Sequence, residues 1–174
     1  MSTTEGTAPA REARPVSTLG GKYLTFQLSA ETYGLEILKV QEIIGLMKVT
    51  HVPRTPSFVR GVINLRGKVI PVIDLRQKFG IPSREDTEKT CIIVVQVLRA
   101  ERQLVIMGII VDEVSEVLDI TCNQIEPAPE FGAAVHTAFI MGMGKVGQKV
   151  VIMLDIDKVL SGNEVAAVEH AAKA

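Results

Sequence analysis

The chain has 174 residues, 47% hydrophobic and 4% aromatic, and its 19 basic and 20 acidic side chains leave a net charge of −1. A balance this close to neutral creates no field that would gather nucleic acid or an anionic membrane, and five Phe, two Tyr and no Trp offer little surface for stacking bases. No apolar run reaches the ~20 residues of a membrane-spanning helix, so we expect one ordinary domain or two small ones, without nucleic-acid binding or direct membrane insertion.

The N-terminal residues 1–20 are rich in Ser, Thr, Pro and Ala and lack the apolar core of a signal peptide. This composition cannot bury enough surface to offset the entropy of ordering, so we predict a flexible N-terminal arm. Cys91 and Cys122 lie far apart and form no CxxC pair. We read them as buried, reduced side chains of a cytoplasmic protein, although the sequence leaves a bridge between them open.

Short apolar runs rich in Val and Ile follow the arm, and their lengths favour strands over helices. In chain order, we predict strands within 22–37 around a polar turn at 29–32, and within 61–67, 68–75, 91–98, 103–111 and 148–156. The helical patterns are short: Leu75–Phe79, Ile156–Ser161 and an Ala-rich tail from Glu164. Because a parallel βαβ design needs longer helices, we predict a mostly antiparallel β architecture.

The sequence also repeats itself. Residues 34–53 align with 108–127 at an offset of 74, which pairs Val40 with Val114, and residues 61–75 align with 142–156 at an offset of 81. Two matching blocks in the same order predict two similar domains. The strand CIIVVQVL is apolar on both faces, which predicts that one barrel packs against the other.

The repeat separates residues that serve the fold from residues free to carry a function. Asp74 and Asp155 both end a strand before a helical pattern, so we predict that both cap helices. In contrast, Asn64-Leu65-Arg66 aligns with Lys145-Val146-Gly147, so this cluster is not a repeated feature.

Catalytic and cofactor-binding motifs are missing from the pattern. The three histidines have no metal-ligand spacing, and no nucleophile motif occurs. GMGKVG at Gly142–Gly147 fits the dinucleotide-binding spacing, but it runs into a strand-like segment where a nucleotide site would open a helix. We therefore predict a hairpin turn there, and expect no enzyme activity, no cofactor and no metal.

Three segments, YGLEILKVQEI, FVRGVINLRGKVIPVIDLRQKFG and IEPAPEF, resemble the CheW family of bacterial chemotaxis coupling proteins, with similarity from about residue 23 to residue 160. The resemblance implies a mainly all-β fold: two SH3-like, five-stranded barrels packed on a shared core, with short helices. The expected organisation is a CheW-like domain over 21–162, a first barrel over about 35–90, a second barrel from about 21–34 and 91–155, and a C-terminal helical tail over 163–174. Whether the barrels exchange terminal strands stays open.

The resemblance implies a non-enzymatic adaptor that joins the cytoplasmic tip of methyl-accepting chemoreceptors to the histidine kinase CheA. The regulatory domain of that kinase is itself built like CheW, and contacts between like barrels also allow self-association in rings. The protein would then be cytoplasmic and recruited to membrane-associated receptor arrays. Two alternatives are a paralogous adaptor of another chemosensory system, such as one for pilus motility, and a small ligand-binding barrel or enzyme that uses the Gly142–Gly147 loop.

Transferred to matching positions, the resemblance implies receptor-binding residues at Val40, Glu42, Ile43, Gly61, Asn64 and Arg66. Phe131, in the APEF element, would contact the kinase or a neighbour in a ring. Core burial is the alternative for Val40 and Ile43, and a structural salt bridge or carbonyl contact is the alternative for Arg66. For Phe131 the alternative is a core anchor of its loop, and for Glu42, which recurs as Glu116, it is a structural role. A guanidinium stays charged at any useful pH, so Arg66 is expected to recognise or order an interface without carrying protons.

Overall fold

The computed structural model describes residues 15–82, 85–99, 102–129 and 138–160, together with Glu164 and Val168. Its strands are β1 (Gly21–Leu28), β2 (Glu31–Glu36), β3 (Val40–Gly45), β4 (Val59–Leu65), β5 (Lys68–Asp74), β6 (Cys91–Leu98), β7 (Leu104–Val111), β8 (Glu113–Ile120), β9 (Ile125–Glu126), β10 (Ile140–Val146) and β11 (Lys149–Leu154). The helices are α1 (Leu75–Lys78) and α2 (Ile156–Val159), with 3₁₀ turns at Val16–Thr18, Ile37–Lys39 and Cys122–Gln124.

The mainly β fold with short helices is confirmed. Each predicted strand run contains at least one observed strand, and the two predicted internal helices occur as α1 and α2. Residues 1–14 of the predicted arm lie outside the described residues, and of the predicted tail the structure describes Glu164 and Val168, both helical. No helix in the described ranges is long and apolar enough to cross a membrane.

The strands form two sheets, which we call the first unit and the second unit. The first unit has the order β3-β6-β7-β5-β4, and the second has the order β8-β1-β2-β11-β10-β9. This corrects the expected division at residue 90, because β6 and β7 belong to the first unit and not to the second. The physical reason is that β7 pairs in parallel with β5, with Gly108 opposite Val72, and that β6 pairs with β3.

The two units are built alike and exchange hairpins. The parallel pairing of Val72 with Gly108 in the first unit corresponds, by the repeat offsets, to the parallel pairing of Met153 with Gly34 in the second. The hairpin β1–β2 begins the first repeat but lies in the second unit, and β6–β7 begins the second repeat but lies in the first unit. The repeat is therefore real in three dimensions, and each sheet is completed by the other repeat.

Both sheets curve back on themselves. After the 3₁₀ turn that follows β8, strand β9 pairs with β10 at the opposite edge of the second unit. In the first unit a single bridge, between Thr50 and Val62, occupies the corresponding place. These closures fit the five-stranded SH3-like barrels that the family resemblance implies.

A large apolar cluster, here called the shared core, joins side chains from both units, including Phe26 and Leu35 from the second unit and Ile93 and Ile109 from the first. Each unit also has its own smaller core. Strand β6 alternates between the two kinds of core: Ile93, Val95 and Val97 join the shared core, whereas Ile92 and Val94 join the core of the first unit. This explains why its sequence is apolar on both faces, as predicted.

Asp74 and Asp155 cap the two short helices, as predicted. The Asp74 carboxylate accepts a hydrogen bond from the backbone N–H of Arg76 at 2.9 Å, and that of Asp155 accepts one from Asp157 at 3.1 Å. Burial raises the pKa of the Asp155 carboxyl group, and the neighbouring Asp157 raises it further. The folded protein therefore disfavours the ionised form of this cap.

We predict that Asp155→Asn stabilises the protein increasingly, relative to wild type, as the pH rises from 4 to 7. Asn caps a helix as well as Asp does and carries no charge. A raised pKa means that the carboxyl group of Asp155 contributes stability below its unfolded-state pKa, and this contribution is lost as the pH rises through its folded-state pKa. Asp155→Ala should instead lose about 1 kcal/mol of cap stability. Urea unfolding across this pH range tests both, and a pH-independent difference between Asn and wild type would contradict the expectation.

Candidate functional site

The β4–β5 hairpin turns sharply at the unrepeated cluster. Leu65 pairs with Lys68, so Arg66 and Gly67 form a two-residue loop, and their φ angles are 53° and 88°. Positive φ at both positions is the pattern of a type I′ turn, whose twist suits two antiparallel strands. The side-chain carbonyl of Asn64 accepts a hydrogen bond from the backbone N–H of Gly67 at 2.8 Å. Asn64 therefore holds the turn that presents Arg66.

Arg66 forms a two-pronged ion pair with Glu42 on strand β3. Its Nη1 donates to Glu42 Oε2 at 2.7 Å and its Nη2 donates to Oε1 at 2.5 Å. These hydrogen bonds lower the pKa of Glu42 and raise the pKa of Arg66. The Arg66 side chain is 67% exposed, whereas that of Glu42 is 24% exposed. Glu42 thus orients a guanidinium that stays accessible to a partner.

This ion pair belongs to the first unit alone. In the second unit the position equivalent to Arg66 is Gly147, which has no side chain to reach a carboxylate. At that hairpin, the described contacts show one cation paired with an acid. It is Lys145, whose Nζ lies 2.6 Å from Glu126 on β9. The two units therefore share a backbone plan but differ in the chemistry of this corner.

Gly61 serves the shape of the hairpin and offers no side chain to a partner. It lies at an irregularity between β4 and β5 with a φ of 146°, and a Cβ atom there would lie 2.1 Å from the carbonyl oxygen of Thr50. Glycine is required because the segment at Thr50 crosses directly over it. The implied role for Gly61 in receptor binding can only be indirect, through the placement of this corner.

Val40 and Ile43 lie on the same face of β3 although they are three residues apart. A register shift between Val40 and Glu42 places Val40 opposite Val95 and Ile43 opposite Ile93, and both partners belong to the shared core. Val40 is partly buried against that core, but Ile43 is 44% exposed. Core burial therefore describes Val40 in part and does not describe Ile43.

Two residues that the sequence interpretation did not select, Cys91 and Val114, complete this surface. Both are partly buried against the shared core, and a backbone hydrogen bond from Val114 reaches the Cys91 sulfur. We call Val40, Ile43, Cys91 and Val114 the seam, because it borders the junction of the two units. The available signal was the repeat itself, which pairs Val40 with Val114.

The cysteines differ from expectation at one position. Cys91 is partly buried, and burial raises the pKa of its thiol, but Cys122 is exposed on the 3₁₀ turn after β8. Both are unpaired, so no bridge joins them. The expectation of burial was wrong for Cys122 because that segment closes the barrel through its backbone, with its side chains outside.

The structure also locates the loop and the charged groups that lie away from the β4–β5 turn. A hairpin turn joins β10 to β11 at Gly147, but the rest of the predicted turn, from Gly142 to Val146, belongs to strand β10. An open polar depression beside β4 contains Arg60, which pairs with Asp74 at 3.2 Å and with Asp86 at 2.7 Å. Within the described ranges no group of three or more His, Cys, Asp or Glu is arranged to hold a metal ion. Phe131, the predicted kinase or ring contact, lies outside the described residues.

Comparison with known proteins identifies close relatives. A family model described as CheW-like domain matches residues 22–164. A chemotaxis protein CheW from Klebsiella aerogenes is 45% identical over 156 residues, which covers 90% of this chain and 91% of the relative. A probable chemotaxis protein CheW from Rhizobium etli is 31% identical, covering 81% of this chain and 88% of the relative.

A solved structure agrees with these relatives. The crystal structure of the scaffolding protein TtCheW from Thermoanaerobacter tengcongensis matches with a TM-score of 0.73 and 40% sequence identity. The match covers 84% of this chain and 96% of that one. The two sheets and their short helices are therefore a known arrangement.

We predict that Gly61→Ala destabilises the protein far more than Gly21→Ala. Gly21 is a matched control because its φ is 152°, close to the 146° of Gly61, yet a Cβ atom at Gly21 would meet nothing within 4 Å. Backbone strain alone should cost about 1 kcal/mol at Gly21. The added overlap with Thr50 should bring the loss at Gly61 to about 3 kcal/mol or more. Urea unfolding measures both losses in stability. Equal losses would show that the close approach of the Thr50 carbonyl is not the reason for glycine at position 61.

Proposed function

This chain belongs to the CheW-like domain family, and we propose that it joins methyl-accepting chemoreceptors to the histidine kinase CheA. It is a scaffold of bacterial chemotaxis, in a family of adaptors that act by binding. The proposed position is cytoplasmic, with recruitment to receptor arrays at the membrane. A scaffold needs rigid surfaces for two partners and no reacting groups.

The observation that carries the proposal is the position of the Arg66–Glu42 pair beside the seam. Glu42 and Ile43 are consecutive on β3 and lie opposite Val94 and Ile93, so the charged fork and the exposed apolar side chain flank this strand on its two faces. A two-pronged arginine–carboxylate pair stabilises the hairpin more than an ordinary surface pair does, yet Arg66 itself is 67% exposed and open to a partner. A partner that meets both faces of this strand, with apolar groups at Ile43 and hydrogen-bond acceptors at Arg66, would fit this corner.

We assign different roles to the six residues that the family resemblance singles out. Val40 and Ile43 provide apolar contact area for the receptor, and Arg66 provides directional hydrogen bonds. Glu42 holds the guanidinium in place. Gly61 and Asn64 act through the backbone of the hairpin.

The regulatory domain of CheA is the second proposed partner. Because that domain is built like CheW, its contacts with this chain would join like barrels, and such head-to-tail contacts can close into rings. Phe131 is proposed to contribute there. Weak contacts repeated around a ring gain strength through avidity, so each interface can be modest.

We predict that Ile43→Asp and Arg66→Ala each reduce affinity for receptor-containing membranes by about tenfold or more, as expected for interface residues whose loss exceeds 1 kcal/mol. Ile43→Asp buries a charge at an apolar contact, and Arg66→Ala removes the hydrogen-bond donors. Co-sedimentation with receptor vesicles, with and without CheA, measures the effect. Circular dichroism establishes that each variant is folded.

Val117→Asp is the matched control. Val117 is the repeat equivalent of Ile43, and it is 48% exposed against 44% for Ile43, on the corresponding strand β8. It should bind receptor vesicles like wild type. If folded Ile43→Asp and Arg66→Ala both co-sediment as well as wild type, the first unit is not the receptor surface.

A further inference from the structure

A buried ion pair connects helix α1, next to β5 of the first unit, with the β1–β2 hairpin, which lies in the second unit. Arg76 on α1 donates from Nε and Nη2 to the two carboxylate oxygens of Asp112, at 2.8 and 2.6 Å. Asp112 lies between β7 and β8, where the chain passes from the first unit to the second. Its carboxylate also accepts the backbone N–H of Ser29, in the β1–β2 turn, at 2.7 Å. We call Arg76, Asp112 and the Ser29 amide the first clasp.

A corresponding arrangement joins the units on the other crossing. Lys39 lies between β2 and β3, where the chain passes from the second unit to the first, and its Nζ lies 2.7 Å from Asp157 on α2. The Asp157 carboxylate also accepts the backbone N–H of Leu98, at the end of β6, at 2.7 Å. We call Lys39, Asp157 and the Leu98 amide the second clasp.

The clasps share a plan but have opposite polarity. Arg76 and Asp157 are equivalent in the repeat, and each lies two residues after the aspartate that caps its helix. Asp112 aligns with Leu38, the neighbour of Lys39. In the first clasp the helix carries the cation and the crossing carries the acid, whereas in the second the helix carries the acid and the crossing carries the cation. In both, a carboxylate accepts an amide of the exchanged hairpin.

The first clasp is nearly buried and the second is partly buried. The paired side chains are 9% and 12% exposed in the first clasp and 26% and 24% exposed in the second. The ion pair between Lys22 and Asp119, on the neighbouring strands β1 and β8, is 63% and 69% exposed. Removing one partner of a buried pair leaves an uncompensated charge, so the clasps constrain the structure much more than the exposed pair does.

The clasps lead directly into the seam. Lys39 immediately precedes Val40, and Asp112 lies two residues before Val114. The strands cross between units at these two points, so the clasps hold the relative placement of the units where the seam residues converge. A change of this placement would alter the spacing of Val40 and Val114 without changing either side chain.

We propose that Lys39, Arg76, Asp112 and Asp157 are positioning residues that set the seam for partner binding, through two clasps whose polarity is interchangeable. The functional half of this inference rests on the proposed receptor-binding role. The structural half depends only on the two ion pairs. Each clasp shows that its own placement of cation and acid is compatible with this fold. Exchanging the two charges of one clasp should therefore give it the charge placement seen in the other.

The test is a charge exchange in the second clasp of the full chain. Lys39→Asp and Asp157→Arg are made singly and together, and the double variant carries the acid on the crossing and the cation on the helix, as in the first clasp. Lys22→Asp in the exposed pair is the control. Three readouts are compared: the urea unfolding midpoint, the methyl NMR resonances of Val40, Ile43 and Val114, and co-sedimentation with receptor vesicles.

Each single variant should lower the unfolding midpoint, shift the seam resonances and weaken vesicle binding by roughly two- to thirtyfold, the range for residues that act on a site through others. The double variant should recover most of the loss in all three readouts, short of wild type because the Leu98 amide loses its acceptor at position 157, and Lys22→Asp should change none. A double variant as perturbed as the single ones, or single variants with unchanged seam resonances, would overturn the proposal. Restored resonances with vesicle binding that is insensitive to Ile43→Asp would instead reject the receptor-binding role and retain the clasps.

Discussion

Each sheet of this protein contains a hairpin from the other repeat, and the shared core that results is the constraint on which the remaining structure depends. Neither unit can be completed without the strands that its partner repeat supplies. The shared core therefore serves as an obligatory interface inside one chain, with fully buried side chains such as Phe26 and Ile109 from both units. A core of this kind holds two barrels as one body, which suits a scaffold that must keep two partners in fixed relation.

The functional surface follows from where that core ends. Strand β3 is partly buried at its start, where Val40 contacts the shared core, and its side chain at Ile43 is exposed to solvent. The type I′ turn brings Arg66 to Glu42 on the same strand, so the apolar and charged elements of the proposed site are placed by the backbone. In the proposed binding mode these elements are already in place before a partner arrives, and such preorganisation limits the entropy lost on association.

Much of the fold was predictable because the signals are local or repetitive. Short apolar runs identified most of the strands, though not β3, β8, β9 or β10, while paired aspartates identified the helix caps and the offsets of 74 and 81 identified the duplication. The expected division already placed residues 21–34 in the second barrel, but it missed the return of the β6–β7 hairpin to the first unit, because the same apolar residues would pack in either sheet. The division at residue 90 failed for that reason: the loop before β6 marks the boundary between the repeats, whereas the units are divided by pairings far apart in sequence.

The site was predictable in part. Arg66 stood out because its cluster is not repeated, and its site role came from the family resemblance. Its bond to Glu42 joins residues 24 positions apart and depends on the three-dimensional closure of the barrel. Val40 and Ile43 share a face because of a register shift in β3. Simple alternation of side chains along a strand would predict opposite faces for residues three apart. Cys91 and Val114 carry no distinguishing chemistry, so their place in the seam became evident only from packing.

The most direct test of the central claim is backbone hydrogen exchange of the full chain, free and bound to receptor vesicles with CheA. If one rigid scaffold binds receptor at the corner between its units, exchange should slow at β3, at the 65–68 turn and at the start of β8. The 146–149 turn of the second unit has no equivalent of the Arg66–Glu42 pair. When receptor vesicles are present without CheA, its backbone amides should exchange as fast as they do in the free protein. Slowed exchange confined to that second turn, or faster exchange throughout the shared core on binding, would contradict the account.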